Sequence, residues 1–550
     1  MSIDQDLQSI QEVRDLLHRA KEAQLEFRAY DQVRVDRIVK AMVDAGYAAA
    51  ERLGRLAHEE TGFGIADDKR RKNEFATLRV WESIKDLRTV GVIREDREKK
   101  IIEIAEPMGI VCALIPSTNP TSTVMFKSII SVKGRNGIVA SPHPKAVRCT
   151  LEAMNIIRDA AESAGAPRGL MACLSLPTLE ATAELMKHKL TSVILATGSN
   201  QMVKAAYSSG KPSYGVGAGN VPAYIEKSAN IVKAVADVVS GKTFDLGVLC
   251  STEASVIVDR SIKDRVVDEF KRRHCHFVEG EDKEKLSRLM FDQRGAINAG
   301  MVGKPAAYIA QKGGFQVPGD TVVLVAELEG VGREYPLSRE KLSPVLSFYT
   351  VDTWREGCER CMDLLQFGGI GHTMVIHSTD EDIIMKFAME KPAFRILVNT
   401  QAALGAVGYT NELLPSLTLG PGTFGGSIIS ENVSAKHLIN VKRLAFETRP
   451  INTGGGELLR PKGSATPAVQ QPAPYVPPAA KNPPASWMAE IEERIRLKAA
   501  NAPQTSISPG TPGRETTQKA PSSDPKPGSL GTGITEEEVD RIVREFSKRR

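Results

Sequence analysis

One cysteine stands where a nucleophile could work. Cys250 lies in the loop Lys242-Thr243-Phe244-Asp245-Leu246-Gly247-Val248-Leu249-Cys250-Ser251-Thr252-Glu253, directly before the apolar run 254–258. That run is short and β-branched, the pattern of a buried strand. A thiol at such a place can attack a carbonyl carbon, although most free cysteines pack as small hydrophobes, and the loop alone is compatible with both. Asn119 is the second group of interest. It follows the apolar run 110–115 in the polar segment Pro116-Ser117-Thr118-Asn119-Pro120-Thr121. A buried strand that stops in a polar loop is where open α/β folds place ligands. The Asn119 amide is there either a donor to a reacting oxygen or a turn residue before proline. Two further strand-to-loop passages carry small residues. Residues 137–140 lead into Ser141-Pro142-His143-Pro144-Lys145, and residues 191–196 into Thr197-Gly198-Ser199-Asn200. Helix N-termini after such loops offer N–H groups suited to a phosphate. Cys358-x-x-Cys361 has no second pair at zinc spacing and falls in the helical stretch 353–365, so no metal site is expected.

The elements that must hold these residues alternate in type. Residues 4–60 repeat apolar positions at helical spacing, as in Val35, Ile38, Val39, Met42 and Val43. Residues 101–106 read as an exposed strand. Strand, small-residue loop and helix then recur up to residues 214–220, which predicts a parallel-sheet nucleotide-binding domain over 1–220 with a flap at 94–110. The alternation restarts with strands at 221–225, 256–258, 322–325, 345–349, 374–377 and 396–398. That is a second Rossmann-like α/β domain, 221–415, carrying Cys250. Residues 416–455 form a return segment. Its formal G-x-G-x-x-G, from Gly420 through Gly422 to Gly425, is rejected as a dinucleotide fingerprint, because Pro421 interrupts it and no helix pattern opens after it.

A chain of 550 residues is too long for one core. Its 25% charged residues and 41% apolar residues are ordinary for a globular protein, and neither its net charge of +5 nor its sparse aromatics support a nucleic-acid groove, which needs a concentrated basic face. Seven cysteines scattered along the chain argue against a disulfide framework and for a reducing compartment. Residues 1–19 lack the apolar core of a signal peptide, and no apolar run reaches the length of a membrane span. A cytoplasmic location is expected. Fourteen of the 31 prolines fall between Pro461 and Pro527, so residues 456–533 read as a disordered linker. Beyond it, Thr535 and Glu538 form a capping box, and Val539, Ile542, Val543 and Phe546 share one helical face. The short helix at 534–550 is either a docking element or an idle, marginal one. A second island, 486–500, with Trp487, Ile491 and Ile495, either shares the docking role or packs on the enzyme.

In their order these residues resemble the aldehyde dehydrogenase superfamily over residues 10–455, and within it the CoA-acylating branch. The likeness rests on Asn119, Thr197-Gly198-Ser199, Gly217-Ala218-Gly219-Asn220, Cys250, Glu340-Lys341-Leu342-Ser343-Pro344-Val345 and Phe424-Gly425-Gly426. Ser141-Pro142-His143-Pro144, Gly371-His372-Thr373 and Pro415-Ser416-Leu417-Thr418-Leu419-Gly420 are similar to the propionaldehyde and acetaldehyde dehydrogenases of bacterial microcompartments. The resemblance implies Cys250 as nucleophile, with the Asn119 amide and the Cys250 N–H holding the oxyanion. It implies a nicotinamide cofactor, NAD with NADP left open, because Pro144 stands where an acidic ribose ligand often lies. Cofactor contacts would come from Pro116, Ser141, Pro142, His143, Pro144, Thr197, Gly198, Ser199, Gly217, Gly219, Glu340 and Pro344. His143 either lines this site or stiffens its loop. The aldehyde and CoA would meet Thr121, Leu249, Ser251, His372, Pro415, Ser416 and Leu417. One departure is informative: Val216 stands where hydrolytic members keep the glutamate that activates water. Acyl-CoA is then the expected product, with a hydrolytic enzyme or a catalytically idle scaffold as alternatives. A homodimer or tetramer is implied, as is the lumen of a microcompartment, reached through a shell protein that binds the C-terminal helix.

Overall fold

The computed structural model describes residues 4–452. The readings of the linker and of the two C-terminal helices lie outside the described residues.

Three sheets organise the chain. The first is parallel and five-stranded, in the order β5-β4-β3-β6-β7, with β3 at Ile110–Ile115, β4 at Gly137–Pro142, β5 at Met171–Cys173, β6 at Thr191–Thr197 and β7 at Ser213–Val216. Its central strand is apolar throughout because both faces are covered. Val111, Ala113 and Ile115 enter one core, while Ile110, Cys112 and Leu114 enter another. The period of two along a strand divides them. The helix Pro120–Lys133 starts at once after the Asn119 loop with proline at its first position, where the missing N–H costs nothing. It is buried along its whole length. Within it, Lys127 Nζ donates to the carbonyls of Leu114 at 2.7 Å and Leu195 at 2.8 Å, fixing the ends of β3 and β6.

The second sheet is parallel and seven-stranded, in the order β10-β11-β12-β9-β8-β13-β14. Its strands are β8 (Val221–Ile225), β9 (Glu253–Asp259), β10 (Cys275–Phe277), β11 (Val323–Glu327), β12 (Val345–Val351), β13 (Gly371–His377) and β14 (Ala393–Val398). The third is antiparallel, in the order β1-β2-β15, where β1 is Gly91–Asp96, β2 is Ile101–Pro107 and β15 is Ile439–Ala445. The strand expected at 101–106 is therefore the middle of a small sheet completed from 439–445. Five strands have no counterpart in the sequence reading: β1, β5, β7, β10 and β15. Of these, β1 and β15 flank β2 in the small antiparallel sheet, while β5, β7 and β10 are outer strands of three or four residues, too short to show a period. After the loop 141–145 a helix runs from Val147 to Ser163.

Several of the predicted site residues stand at strand ends of the two parallel sheets. Asn119 and Thr197 stand at the carboxyl ends of β3 and β6. Gly217–Asn220, Cys250, Glu340 and His372 stand at the amino ends of β8, β9, β12 and β13. The larger sheet thus contributes its amino edge, opposite to the usual rule for open α/β sheets. Among the described residues no helix is long and apolar enough to cross a membrane.

Candidate active site

Cys250 is placed by a tight reversal. The helix Ile231–Thr243 stops, and Asp245, Leu246 and Gly247 all adopt left-handed backbone conformations with φ of 46°, 53° and 75°. Such φ values are unfavourable for side chains other than glycine, so the contacts of Asp245 must offset them. Its carboxylate accepts from Ile65 N at 2.6 Å, from Lys69 Nζ at 3.0 Å and from Lys72 Nζ. Beyond the reversal, Leu249 packs with Phe244 and Ala403, and Ser251 Oγ donates to the Ala403 carbonyl at 2.9 Å. Cys250 between them remains half-buried.

Burial pushes the Cys250 thiol up to about 12, and the negative charge of Glu340 adds to this. The Arg395 cation and the N–H groups of Cys250 and Ser251 work in the other direction. Arg395 is itself buried, with Nη2 donating to the His372 carbonyl at 2.6 Å and Nε donating to Thr373 Oγ1 at 3.2 Å. His372 contacts Thr373 Oγ1 through Nδ1 at 2.9 Å, and its Nε2 has no partner. Burial, with Arg395 second, holds its pKa well below the usual histidine value, so the ring is neutral.

The backbone of 217–220 runs against the cysteine. A Cβ on Gly219 would lie 1.7 Å from the Cys250 carbonyl oxygen, and one on Gly217 would lie 2.0 Å from Asn200 Oδ1. At Gly219 only glycine fits, whereas a side chain at 217 would displace the Asn200 amide. Asn200 Oδ1 accepts from Ala218 N at 2.9 Å, and Glu340 Oε1 accepts from Gly219 N at 2.8 Å. The sequence shows no carboxylate near Val216, which is buried at the end of β7. The fold nevertheless brings Glu340 to this segment. Burial raises the Glu340 carboxyl to about 7, against the pull of the Gly219 N–H and Lys242.

Asn119 is held from the opposite side. Lys72 Nζ donates to its Oδ1 at 2.5 Å, and its own Nδ2 donates to Thr118 Oγ1 at 3.1 Å. Lys69 Nζ donates to the Thr118 carbonyl at 3.1 Å. Both lysines come from the helix Ala66–Glu74 and both are buried. Asp245 lies between them and the Cys250 loop, so the predicted oxyanion donor and the predicted nucleophile are joined by one chain of contacts.

Other predicted contacts scatter. Thr197 Oγ1 lies 3.3 Å from Thr418 Oγ1, which draws Pro415, Ser416 and Leu417 toward the Thr197-Gly198-Ser199 loop. Ser199 caps the helix Asn200–Tyr207 through Met202 N at 3.3 Å. Pro116 and Pro142 are buried at the ends of β3 and β4, while His143 and Pro144 are exposed. His143 Nδ1 accepts from Lys145 N at 3.1 Å, a contact within its own loop. Four predicted contacts instead have partners inside the protein. Ser141 Oγ pairs with Thr182 Oγ1 at 2.9 Å, and Thr121 Oγ1 donates to Asn73 Oδ1 at 2.8 Å. Ser251 is spent on Ala403, and the Pro344 carbonyl accepts from Leu324 N at 2.9 Å. The helix Val147–Ser163 is a correction of another kind. Glu60 Oε1 and Oε2 already accept from Arg148 N at 2.8 Å and Cys149 N at 2.6 Å, so this N-terminus is capped by a carboxylate and not open to a phosphate.

Residues 5–288 match the profile of the aldehyde dehydrogenase family. The chain belongs to that family. Relatives agree in sequence and in shape. It is 46% identical over 409 residues to the aldehyde-alcohol dehydrogenase of Streptococcus pneumoniae, a match covering 72% of this chain and 46% of that protein. The chain spans about half the length of such curated relatives. It is similar to the crystal structure of an acetylating aldehyde dehydrogenase from Geobacillus thermoglucosidasius, at 52% identity and a TM-score of 0.81, covering 82% of this chain and 100% of that one. It is also similar to a propionaldehyde dehydrogenase from the fucose utilisation microcompartment of Clostridium phytofermentans, at 28% identity and a TM-score of 0.71, covering 79% and 97%.

In this aldehyde dehydrogenase family member the sequence reading missed Lys69, Lys72, Asn200, Glu253 and Arg395. The two lysines sit in Ala-Asp-Asp-Lys-Arg-Arg-Lys-Asn-Glu, which reads as a solvated helix. No local signal marks them as buried. Arg395 falls one residue before the strand read at 396–398, in β14, whose positions alternate between buried and exposed, so its burial has no local signal either.

Proposed function

We propose that the chain is an NAD-dependent, CoA-acylating aldehyde dehydrogenase acting on a short aliphatic aldehyde, propionaldehyde or acetaldehyde. The observation that carries this reading is the glycine backbone of 217–220 packed on the Cys250 loop, with buried Val216 where hydrolytic relatives have their base. The family's nicotinamide cofactor fits the residues present. Gly219 lets the backbone of 217–220 pack against the Cys250 carbonyl, and the first turn of the helix Asn200–Tyr207 follows Thr197-Gly198-Ser199 with Ser199 capping Met202 N. A nicotinamide bound there supplies the hydride acceptor.

The chain's own groups do the rest. Cys250 Sγ attacks the aldehyde carbon, forming the C–S bond as the carbonyl electrons move onto oxygen. Asn119 Nδ2 and the Cys250 N–H hold that oxyanion; losing one such donor typically costs about 10²–10³ in rate. At rest the cysteine is a thiol, and Glu340 is the nearby carboxylate able to share its proton. Loss of hydride leaves an acyl thioester on Cys250. The CoA thiolate then attacks the acyl carbon and Cys250 leaves as thiolate, an exchange of one thioester for another that runs in both directions. Subunit pairing through the β1-β2-β15 sheet, and delivery to a microcompartment shell by Val539, Ile542, Val543 and Phe546, complete the proposal.

NADH formation from propionaldehyde with and without CoA tests it. The rate should collapse without CoA and recover with it, yielding propionyl-CoA. Equal rates giving free propionate would replace this reading by the hydrolytic one. Cys250→Ala should lower turnover by about 10⁴-fold or more, and retained activity would remove the nucleophile assignment.

A further inference from the structure

The amide of Asn119 has two ends of nearly equal size and opposite chemistry, one an acceptor and the other a donor. Only the donor end can stabilise an oxyanion. Something must therefore decide which end faces the reacting carbonyl. Lys72 is placed to do so, since its Nζ donates to Asn119 Oδ1 at 2.5 Å and an ammonium group has no acceptor with which to welcome the NH₂ end. With Oδ1 committed to Lys72, one Nδ2 proton goes to Thr118 Oγ1 at 3.1 Å and the other remains for substrate.

Lys72 is not free to wander. Its side chain is 3% exposed and its ammonium is bonded to Asp245 Oδ2, which is fully buried and also pairs with Lys69 at 3.0 Å. Asp245 lies five residues before Cys250 and is fixed from three sides. Ile65 N donates to its Oδ1, its own N–H donates to Asp68 Oδ2 at 2.8 Å, and a Cβ on Gly64 would fall 1.9 Å from Oδ1. The relay thus runs from the nucleophile loop through Asp245 and Lys72 to the carbonyl end of Asn119.

We propose that Lys72 is a positioning residue for the reaction: anchored on Asp245 of the Cys250 loop, its ammonium holds Asn119 Oδ1 and so turns the Nδ2 donor toward the reacting oxygen. The same contact polarises the amide and makes Nδ2 a stronger donor. The inference rests on the reading of Asn119 as an oxyanion donor.

A double-mutant cycle separates the two. Asn119→Ala, Lys72→Met and the double variant are assayed for CoA-dependent NADH formation from propionaldehyde, beside their melting temperatures. Asn119→Ala should lower kcat about 10²–10³-fold. Lys72→Met should lower kcat by about 10–10²-fold, with KM for NAD unchanged, because the donor is misaimed rather than deleted. Added to Asn119→Ala, it should cost less than about threefold, the non-additivity expected of groups acting as one. An unchanged kcat in Asn119→Ala would remove the oxyanion reading itself. A Lys72→Met loss of equal size with and without Asn119, or no loss at all, would overturn the positioning role alone. Because Lys72→Met leaves Asp245 short of a cation and its folding is at risk, Asn119→Asp provides a measurement that leaves Lys72 intact. An oxygen already faces the ammonium in the native chain, so this variant should melt at or above the wild-type temperature while its kcat falls to the level of Asn119→Ala or below. A melting temperature clearly below wild type would mean that no cation holds position 119, and would sink the proposal whatever became of the Lys72 variant.

Discussion

On one side of the Cys250 loop, Lys69 and Lys72 meet Asp245 in direct ion pairs, with every partner buried. On the other side, Lys242, Lys341 and Glu253 are buried too and Glu340 is half-buried, yet among the described residues no ion pair joins these lysines to these carboxylates. Lys242 Nζ donates to the backbone carbonyl of Glu253 at 2.8 Å, and Lys341 Nζ to the carbonyls of Leu337 at 2.5 Å and Arg339 at 2.9 Å. Burial without a close counter-charge favours the neutral forms. Glu253 and Glu340 both rise to about 7; Lys242 falls to about 8, and burial takes Lys72 of the paired wall to about 8 as well. The walls therefore differ in their carboxyls: Asp245 is held by two ammonium groups, whereas Glu253 and Glu340 can exchange protons near neutral pH, and Glu340 acts on the thiol. In the proposed reaction the first wall would aim a donor and the second would move a proton.

The largest effect should come from breaking the paired wall. Asp245→Ala strands two buried ammonium groups, and losing one partner of a buried pair typically costs about 3–5 kcal/mol. A melting temperature close to wild type would show that the pairs are not what holds this wall. Activity should fall with it, since Asp245 also supports the left-handed turn into Cys250.

A smaller effect of definite sign belongs to the unpaired wall. The Glu340 charge raises the Cys250 thiol, so Glu340→Gln should lower it and speed alkylation by iodoacetamide about three- to tenfold at pH 8. Arg395→Met should slow alkylation, because the cation acts in the opposite sense. Near pH 6 wild type and Glu340→Gln should converge, the native carboxyl then being protonated as well. A Glu340→Gln difference that persisted unchanged to pH 6 would contradict a carboxyl that titrates near 7.

The smallest effect is on stability. A carboxyl raised from 4.5 to about 7 binds its proton more tightly in the folded state. Its contribution is therefore greatest below pH 4.5 and is lost as pH rises through 7. Glu253 Oε1 accepts from Ala402 N at 2.5 Å while Oε2 has no partner. Glu253→Gln keeps the first contact and removes the titration, so it should melt about 2–4 °C above wild type at pH 8 and level with it at pH 5. A difference independent of pH would locate the charge elsewhere.

Much of the arrangement was readable along the chain. The strands read at 110–115, 137–140 and 191–196, each ending in a small-residue loop, place Asn119, His143 and Thr197 at one edge. The isolated thiol before 254–258 marks Cys250. Short outer strands escaped because three residues carry no period. The partnership of Glu340 with Gly219 escaped because it joins positions 121 apart in sequence.

The sequence by itself determined the alternating α/β order, the buried central strands and the residue types available for attack on a carbonyl. Hydrophobic period and loop composition are local properties, and those features need nothing more. Only the tertiary structure decided which charges are buried. In the helix Ala66–Glu74 the side chains of Lys69 and Lys72 look solvated until Asp245, far along the chain, folds over them. A buried charge is tolerable only beside its partner, and such a partner is chosen by the fold, not by sequence neighbourhood.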